Sequence, residues 1–324
     1  MLSYEAFKDY VRERVLDTFP PGYENAEVRI ENVVKANAEL SGLSVWKEDT
    51  TLAPNLYLNP CYEDYVNGMS LDEVVDLIAK SYVKAIDEMK INEEIGARLK
   101  DAEYVRSHVI FELVGREQNA ELITERPNRD FLDLSIVYTV IVGMDEKGVA
   151  ASAVTNELME EFSLTEEELY QAAYENTRTL YQPKIMDLVD VIGPDEACEK
   201  NYDKIFLLTN SMVIGGSVMM IYDDALQKLA NALIDPEKSK DAPREILVVP
   251  SSRHEVLGMA LIDPDMIEHC QQILQDINSS CVVLEDRLSN NVYKYDADEH
   301  VLTMATDVPN RRLDDMEQTK DMSI

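Results

Sequence analysis

The chain has 324 residues, with 63 Asp+Glu against 30 Lys+Arg and a formal net charge of −33. Hydrophobic residues make up 45% and charged residues 29%, with 11 Gly and 12 Pro, which excludes disordered, collagen-like and linker-rich chains. With no basic run longer than Arg311-Arg312, direct binding to nucleic acid or to an anionic membrane is not expected, because both need concentrated Lys and Arg.

Ser3, followed by Tyr4, Phe7, Tyr10, Val11 and Leu16, predicts a capped amphipathic helix that Pro20-Pro21-Gly22 ends. AEVRIENVVKANAELSGLSVWKED predicts a hairpin, and NLYLNP a short extended segment. Ser70-Leu71-Asp72-Glu73 is a capping box. Leu71, Val74, Val75, Ile78, Tyr82, Ala85, Ile86 and Met89 follow it as one apolar stripe. Between 105 and 143, VIFELVGRE, AELITE and LDLSIVYTVIVGM predict three antiparallel strands, with GREQN and ERPNRD as turns. The third run is almost wholly apolar and is expected to lie centrally.

AVTNELMEEF predicts a helix, as does LYQAAYENTRTLY behind a second capping box, Thr165 to Glu168. Pro183 is expected to open another helix, IMDLVDVI, ended by Gly193-Pro194. KIFLLTN and EILVVP predict strands, and SRHEVLGMAL is expected to be extended. GGSVMMIYDDALQKLANALID predicts a Gly-Gly turn, a short strand and a helix. Asp263-Pro264 opens a helix, and VYKYD and HVLTMA predict a final hairpin. The tail from Thr306 lacks apolar periodicity and is expected to fray.

This order lacks regular β-α alternation and predicts an α+β fold, with mostly antiparallel central sheets and amphipathic helices packed against them. The expected divisions are an N-terminal segment 1–100, a main domain 101–305 and an acidic tail 306–324. The N-terminus shows no secretory pattern, and the longest apolar runs, 134–144 and 211–222, are too short to span a bilayer. Cys61, Cys198, Cys270 and Cys281 form no C-x-x-C pair and match no zinc spacing, so reduced thiols in a cytoplasm are expected.

The densest group of reactive side chains is Pro250-Ser251-Ser252-Arg253-His254-Glu255, behind an apolar strand. Ser251 or Ser252 is a candidate nucleophile, His254 a candidate base and Glu255 an orienting carboxylate. On an extended chain Ser252 and His254 would share a face, and Glu255 would point away. The competing expectation is that the serines cap a turn while His254 and Glu255 make structural hydrogen bonds. His254-Glu255 begins an H-E-x-x-H motif, but Gly258 stands where the second His belongs. His269 and His300 stand alone, and no metal site is expected. Gly215-Gly216 lacks the Lys of a phosphate loop and reads as a tight turn; no cofactor is expected. Asp133, with Asp130 and Glu125 nearby, opens the apolar strand. Its carboxylate is expected to find Arg126 or Arg129.

Several ordered blocks together carry a family resemblance: NLYLNPCYEDYVNGMSLDEV, FELVGREQNAELITERPNRDFLDLSIVY, EEELYQAAYENT, IFLLTN with its Gly-Gly, and VVPSSRHEVL. From about residue 1 to about 305 the chain resembles the bacterial domain-of-unknown-function family numbered 5688. The resemblance implies an intracellular bacterial protein of one shared architecture and carries over no activity or site residue. The expected function is therefore contact with another protein, one with a basic surface. The alternatives are a hydrolase-like enzyme using Ser252 and His254, and an acidic nucleic-acid mimic that occupies the groove of a basic enzyme.

Overall fold

The Ser3 hydroxyl accepts the Ala6 N–H and starts α1 (Tyr4–Arg14). In this computed structural model the described residues are 1–48, 53–89, 98–145, 148–193, 204–234 and 244–310. The chain has an α+β fold and forms two compact units, Met1–Lys100 and Asp101–Ile324. Among the described residues no helix is long and apolar enough to cross a membrane.

In the first unit β1 (Glu27–Lys35) and β2 (Ala38–Trp46) form the expected hairpin, in register from Glu27 opposite Trp46 to Lys35 opposite Ala38. β3 (Leu56–Tyr57) pairs with β2. NLYLNP is extended only at those two residues, because α2 (Leu58–Val66) starts at once. Pro60 sits in its first turn, where a missing N–H breaks no helical bond. α3 (Leu71–Met89) opens on the capping box, with Glu73 N–H donating to Ser70 Oγ and Ser70 N–H to the Glu73 carboxylate. Its apolar stripe closes over Phe7, Val11, Leu43, Val45 and Leu58.

Burial sets the thiol chemistry here. Cys61 is buried, and desolvation of its thiolate pushes the thiol up to about 11; burial also raises Cys270, whereas Cys281 is exposed. At pH 8 an aromatic disulfide reagent is expected to modify Cys281 rapidly, and Cys281→Ser should remove one fast thiol from the progress curve. A fast phase that survives in that variant but vanishes in Cys61→Ser would contradict this order. Cys198 lies outside the described residues.

In the second unit α4 (Ala102–His108) runs directly into β4 (Val109–Gly115), which pairs with β6 (Leu134–Asp145). β5 (Asn128–Phe131) and β7 (Gly148–Ala153) also pair with β6, so the apolar run is central as expected. The second strand is misplaced in the sequence reading. AELIT forms a short helix, α5 (Ala120–Thr124), and the supposed turn supplies β5. Ala, Glu and Leu favour helix locally, while the Asn128 amide donates to the Ile123 and Arg126 carbonyls and turns the chain into the strand.

α6 (Asn156–Phe162) and α7 (Glu166–Leu180) follow, the latter opened by the Thr165–Glu168 capping box. α7 covers the outer edge of β4 with side chains that imitate a partner strand. Thr177 Oγ1 accepts the Phe111 N–H at 2.9 Å, and Asn176 Nδ2 donates to the Val109 carbonyl at 2.9 Å.

The third sheet has the order β13-β12-β10-β11-β9-β8, all antiparallel. Its strands are β8 (Pro183–Asp187), β9 (Phe206–Asn210), β10 (Glu245–Val249), β11 (Val256–Ala260), β12 (Tyr293–Asp296) and β13 (Val301–Met304). Pro183 therefore opens a strand and not a helix. At the sheet edge its lack of an N–H costs no ladder bond, and α8 (Leu188–Ile192) starts only after Asp187. Behind the Gly-Gly turn the chain forms a buried 3-10 turn, Gly216–Ile221, in place of the expected short strand.

α9 (Asp223–Leu233) and α10 (Asp265–Ser280) cover opposite faces of this sheet. Val248 lies opposite Gly258, where a Cβ would approach Leu229 of α9 to 2.7 Å. Leu247 and Val249 face the other way, into a cluster with Cys270 and Leu274 of α10.

Residues 306–310 do not fray. Thr306 Oγ1 donates to Asn291 Oδ1 at 3.0 Å, Val308 N–H to the same oxygen at 2.7 Å, and Asn310 N–H to Glu117 at 2.7 Å. Polar side chains anchor this stretch, so apolar periodicity carried no trace of it. The rest of the tail, 311–324, lies outside the described residues.

Candidate functional site

The segment after β10 forms a tight turn held by hydrogen bonds of its serine, histidine and glutamate, while Arg253 Nε is buried without a hydrogen-bond partner among the described residues. Ser252 Oγ donates to Glu255 Oε1 at 2.6 Å and accepts the His254 backbone N–H at 3.0 Å. Ser251 Oγ also reaches Glu255, at 3.3 Å. The His254 carbonyl accepts from Thr209 Oγ1 at 2.7 Å and from Gly216 N–H at 3.0 Å. Glu255 thus orients the serines and not the histidine, which follows from the turn replacing an extended chain.

The His254 ring is engaged at both nitrogens. Gly215 N–H donates to Nδ1 at 3.1 Å, so that atom carries no hydrogen and the ring proton sits on Nε2. Nε2–H then donates to Asp286 Oδ1 at 3.0 Å. Ser251, Ser252, His254 and Glu255 are brought together in space. However, no serine-to-imidazole hydrogen bond links them among the described residues.

Around this turn, ionisable side chains converge from distant stretches. Arg253 Nη2 meets Glu112 of β4 at 2.8 Å, with both side chains largely covered. Tyr181 feels both: burial raises its pKa, the Glu112 charge raises it further and Arg253 offsets part of the rise. Burial lowers the pKa of Arg126, while Glu112 and Glu125 pull it back up. Sequence reasoning missed Glu112, Tyr181 and Asp286. Glu112 alone left a signal, as the one charge inside the apolar run VIFELVG. The adjoining loop is strained, with Val213 at φ 56° and its backbone held by the buried Asn210, which accepts from Met212 N–H and donates to the Ile214 carbonyl.

Asp133 finds neither Arg126 nor Arg129. Its carboxylate accepts from Tyr293 OH (2.6 Å), Ser289 Oγ (2.6 Å), Asn291 Nδ2 (3.0 Å) and Asn310 Nδ2 (2.6 Å). Neutral donors substitute for the cation, and they come from sequence positions that periodicity could not connect. Burial and the adjacent charge push Tyr293 well above the ordinary phenol range. Arg129 instead makes a bidentate pair with Glu166, bonds Glu167 and lies over the Tyr170 ring. Glu166 also accepts from Tyr138 OH.

Among the described residues no group of three or more His, Cys, Asp or Glu is placed to hold a metal ion. His300 bonds Asp223 at 2.8 Å. Gly215-Gly216 forms the predicted tight turn, with its N–H groups spent on His254.

The fold and this polar junction define an α+β protein in which distant ionisable residues meet beside a sheet end. The chain belongs to a family of unknown function, DUF5688, whose model matches residues 4–297. It matches no curated protein and no solved structure.

Proposed function

We propose that this protein works by binding another protein through the partner's basic surface, with the Ser251–Glu255 turn serving as a structural element. The observation that carries the reading is the row of exposed carboxylates Glu157, Glu160 and Glu161 on α6. Among the described residues none of the three has an ion-pair partner. Arg129 is engaged by Glu166 and Glu167, and Arg106 by Glu168 at 3.9 Å. Uncompensated negative charge of this kind attracts a cationic partner at long range and yields to salt.

Crosslinking the full chain in native-host extract identifies the partner, and titration calorimetry then measures the purified pair. Affinity is expected to fall steeply between low and high salt. The triple variant Glu157→Gln, Glu160→Gln, Glu161→Gln should weaken binding about tenfold, at roughly 0.5 kcal/mol per exposed charge. Ser252→Ala and His254→Gln should leave it unchanged. Affinity indifferent to salt and to the triple variant would refute the reading, and ester hydrolysis abolished by Ser252→Ala would favour the hydrolase alternative.

A further inference from the structure

Away from the Ser251–Glu255 turn, the corner where α4 enters β4 beneath α7 holds a half-open pocket of about 310 Å³, a size that suits a small molecule. Ile110, Ile141 and Leu180 form its apolar wall, and Ser107, His108, Glu175, Asn176 and Thr179 supply the polar groups.

The hydrogen-bond bookkeeping of those polar groups selects the ligand. His108 Nδ1 lies 3.0 Å from the Tyr104 carbonyl, which can only accept, so Nδ1 carries the ring hydrogen and Nε2 presents a lone pair. Stacking fixes the ring orientation: the Tyr104 and His108 centroids lie 3.9 Å apart with planes 8° from parallel. The Ser107 hydroxyl donates to the Glu103 carbonyl at 2.7 Å and faces the His108 Nδ1 hydrogen at 3.0 Å, leaving one lone pair. Both Asn176 Nδ2 hydrogens are spent on the Arg106 and Val109 carbonyls, leaving Oδ1 as an acceptor. Glu175 adds an exposed carboxylate with no ion-pair partner among the described residues. These four groups therefore offer acceptors and negative charge beside an apolar wall.

We propose that this cavity binds a small organic ammonium ion with an apolar body. The ammonium hydrogens satisfy His108 Nε2, Asn176 Oδ1 and the Glu175 carboxylate, while the hydrocarbon part displaces water from Ile110, Ile141 and Leu180. A carboxylate or phosphate ligand would find a single hydroxyl donor, Thr179, against these acceptors and the Glu175 charge, and is disfavoured by the same chemistry.

The probe is phenethylamine, with 2-phenylethanol and 3-phenylpropionate as its neutral and anionic counterparts. Each is titrated into the full chain at pH 8 and followed by NMR of the His108 ring, assigned through His108→Gln. Phenethylamine should shift that ring and saturate at one equivalent. Phenylethanol should bind more weakly and phenylpropionate should not bind. Because the whole chain is acidic, any cation is attracted to it, so two charge-matched variants separate the cavity from the general field. Glu175→Gln should weaken phenethylamine about fivefold, the upper end expected for one partly exposed ion pair, without changing phenylethanol. Glu121→Gln, at an exposed position of α5, should leave both unchanged. Non-saturating shifts, equal binding of the three compounds, or equal weakening by the two variants would overturn the assignment.

Discussion

Asp133→Ala is expected to destabilise the Asp101–Ile324 unit by about 3 kcal/mol, read as a lower urea midpoint at unchanged slope. The carboxylate is the common acceptor for four donors, and three of their residues are almost fully buried: Ser289, Asn291 and Tyr293 at 0–1% exposure. Deleting it leaves those donors desolvated and unpaired, which costs more than the bonds themselves contribute. Asp133→Asn keeps the shape but replaces one acceptor oxygen by a donor, so it should lose a smaller part of the same stability. The alanine variant should also free the 306–310 stretch, because Asn310 loses its bond to the carboxylate. Limited proteolysis should then cut near residue 306 well before the rest of the unit. An unshifted midpoint and an uncut tail would mean that the carboxylate is dispensable.

Gly216→Ala is expected to be comparably damaging, by about 3 kcal/mol, for a steric reason. An added Cβ would collide with Thr209 Oγ1 and with the His254 carbonyl oxygen, and would lie 2.9 Å from Thr209 Cα. Two of these obstacles belong to backbone, and the His254 carbonyl is already held by two donors, so little can give way. The strain should reach the Ser251–Glu255 turn, and a changed His254 ring resonance in the folded fraction reports it. A variant with wild-type stability and an unmoved His254 signal would show that the turn tolerates the methyl group.

Elements with strong periodicity and explicit caps could be read from the chain. α1, α3 and α7 start at Ser3, Ser70 and Thr165 as their side chains dictate, and the nearly all-apolar β6 is central because only a covered strand can carry so few polar residues. Failures came where local preference was overruled or undecided. AELIT is too short for its pattern to separate helix from strand, Pro183 suits an edge strand as well as a helix start, and the run after Gly216 is apolar on all sides and buried as a 3-10 turn. The PSSRHE cluster was visible as a group of reactive residue types, but its wiring was not. That wiring depends on Asp286, Gly215 and Glu112, which reach it only through the tertiary fold.

The side chains that cover β4 have a consequence for synthesis. Phe111 donates its N–H to Thr177, 66 residues later in the chain. A ribosome adding 5–20 residues per second leaves that donor without its acceptor for roughly 3 to 13 s. Throughout that interval the nascent polypeptide presents a bare, apolar ribbon able to pair with a neighbour on the same messenger. Ribosome-associated chaperones, or a translation tempo that hastens codons 112–177, would shorten or shield that exposure.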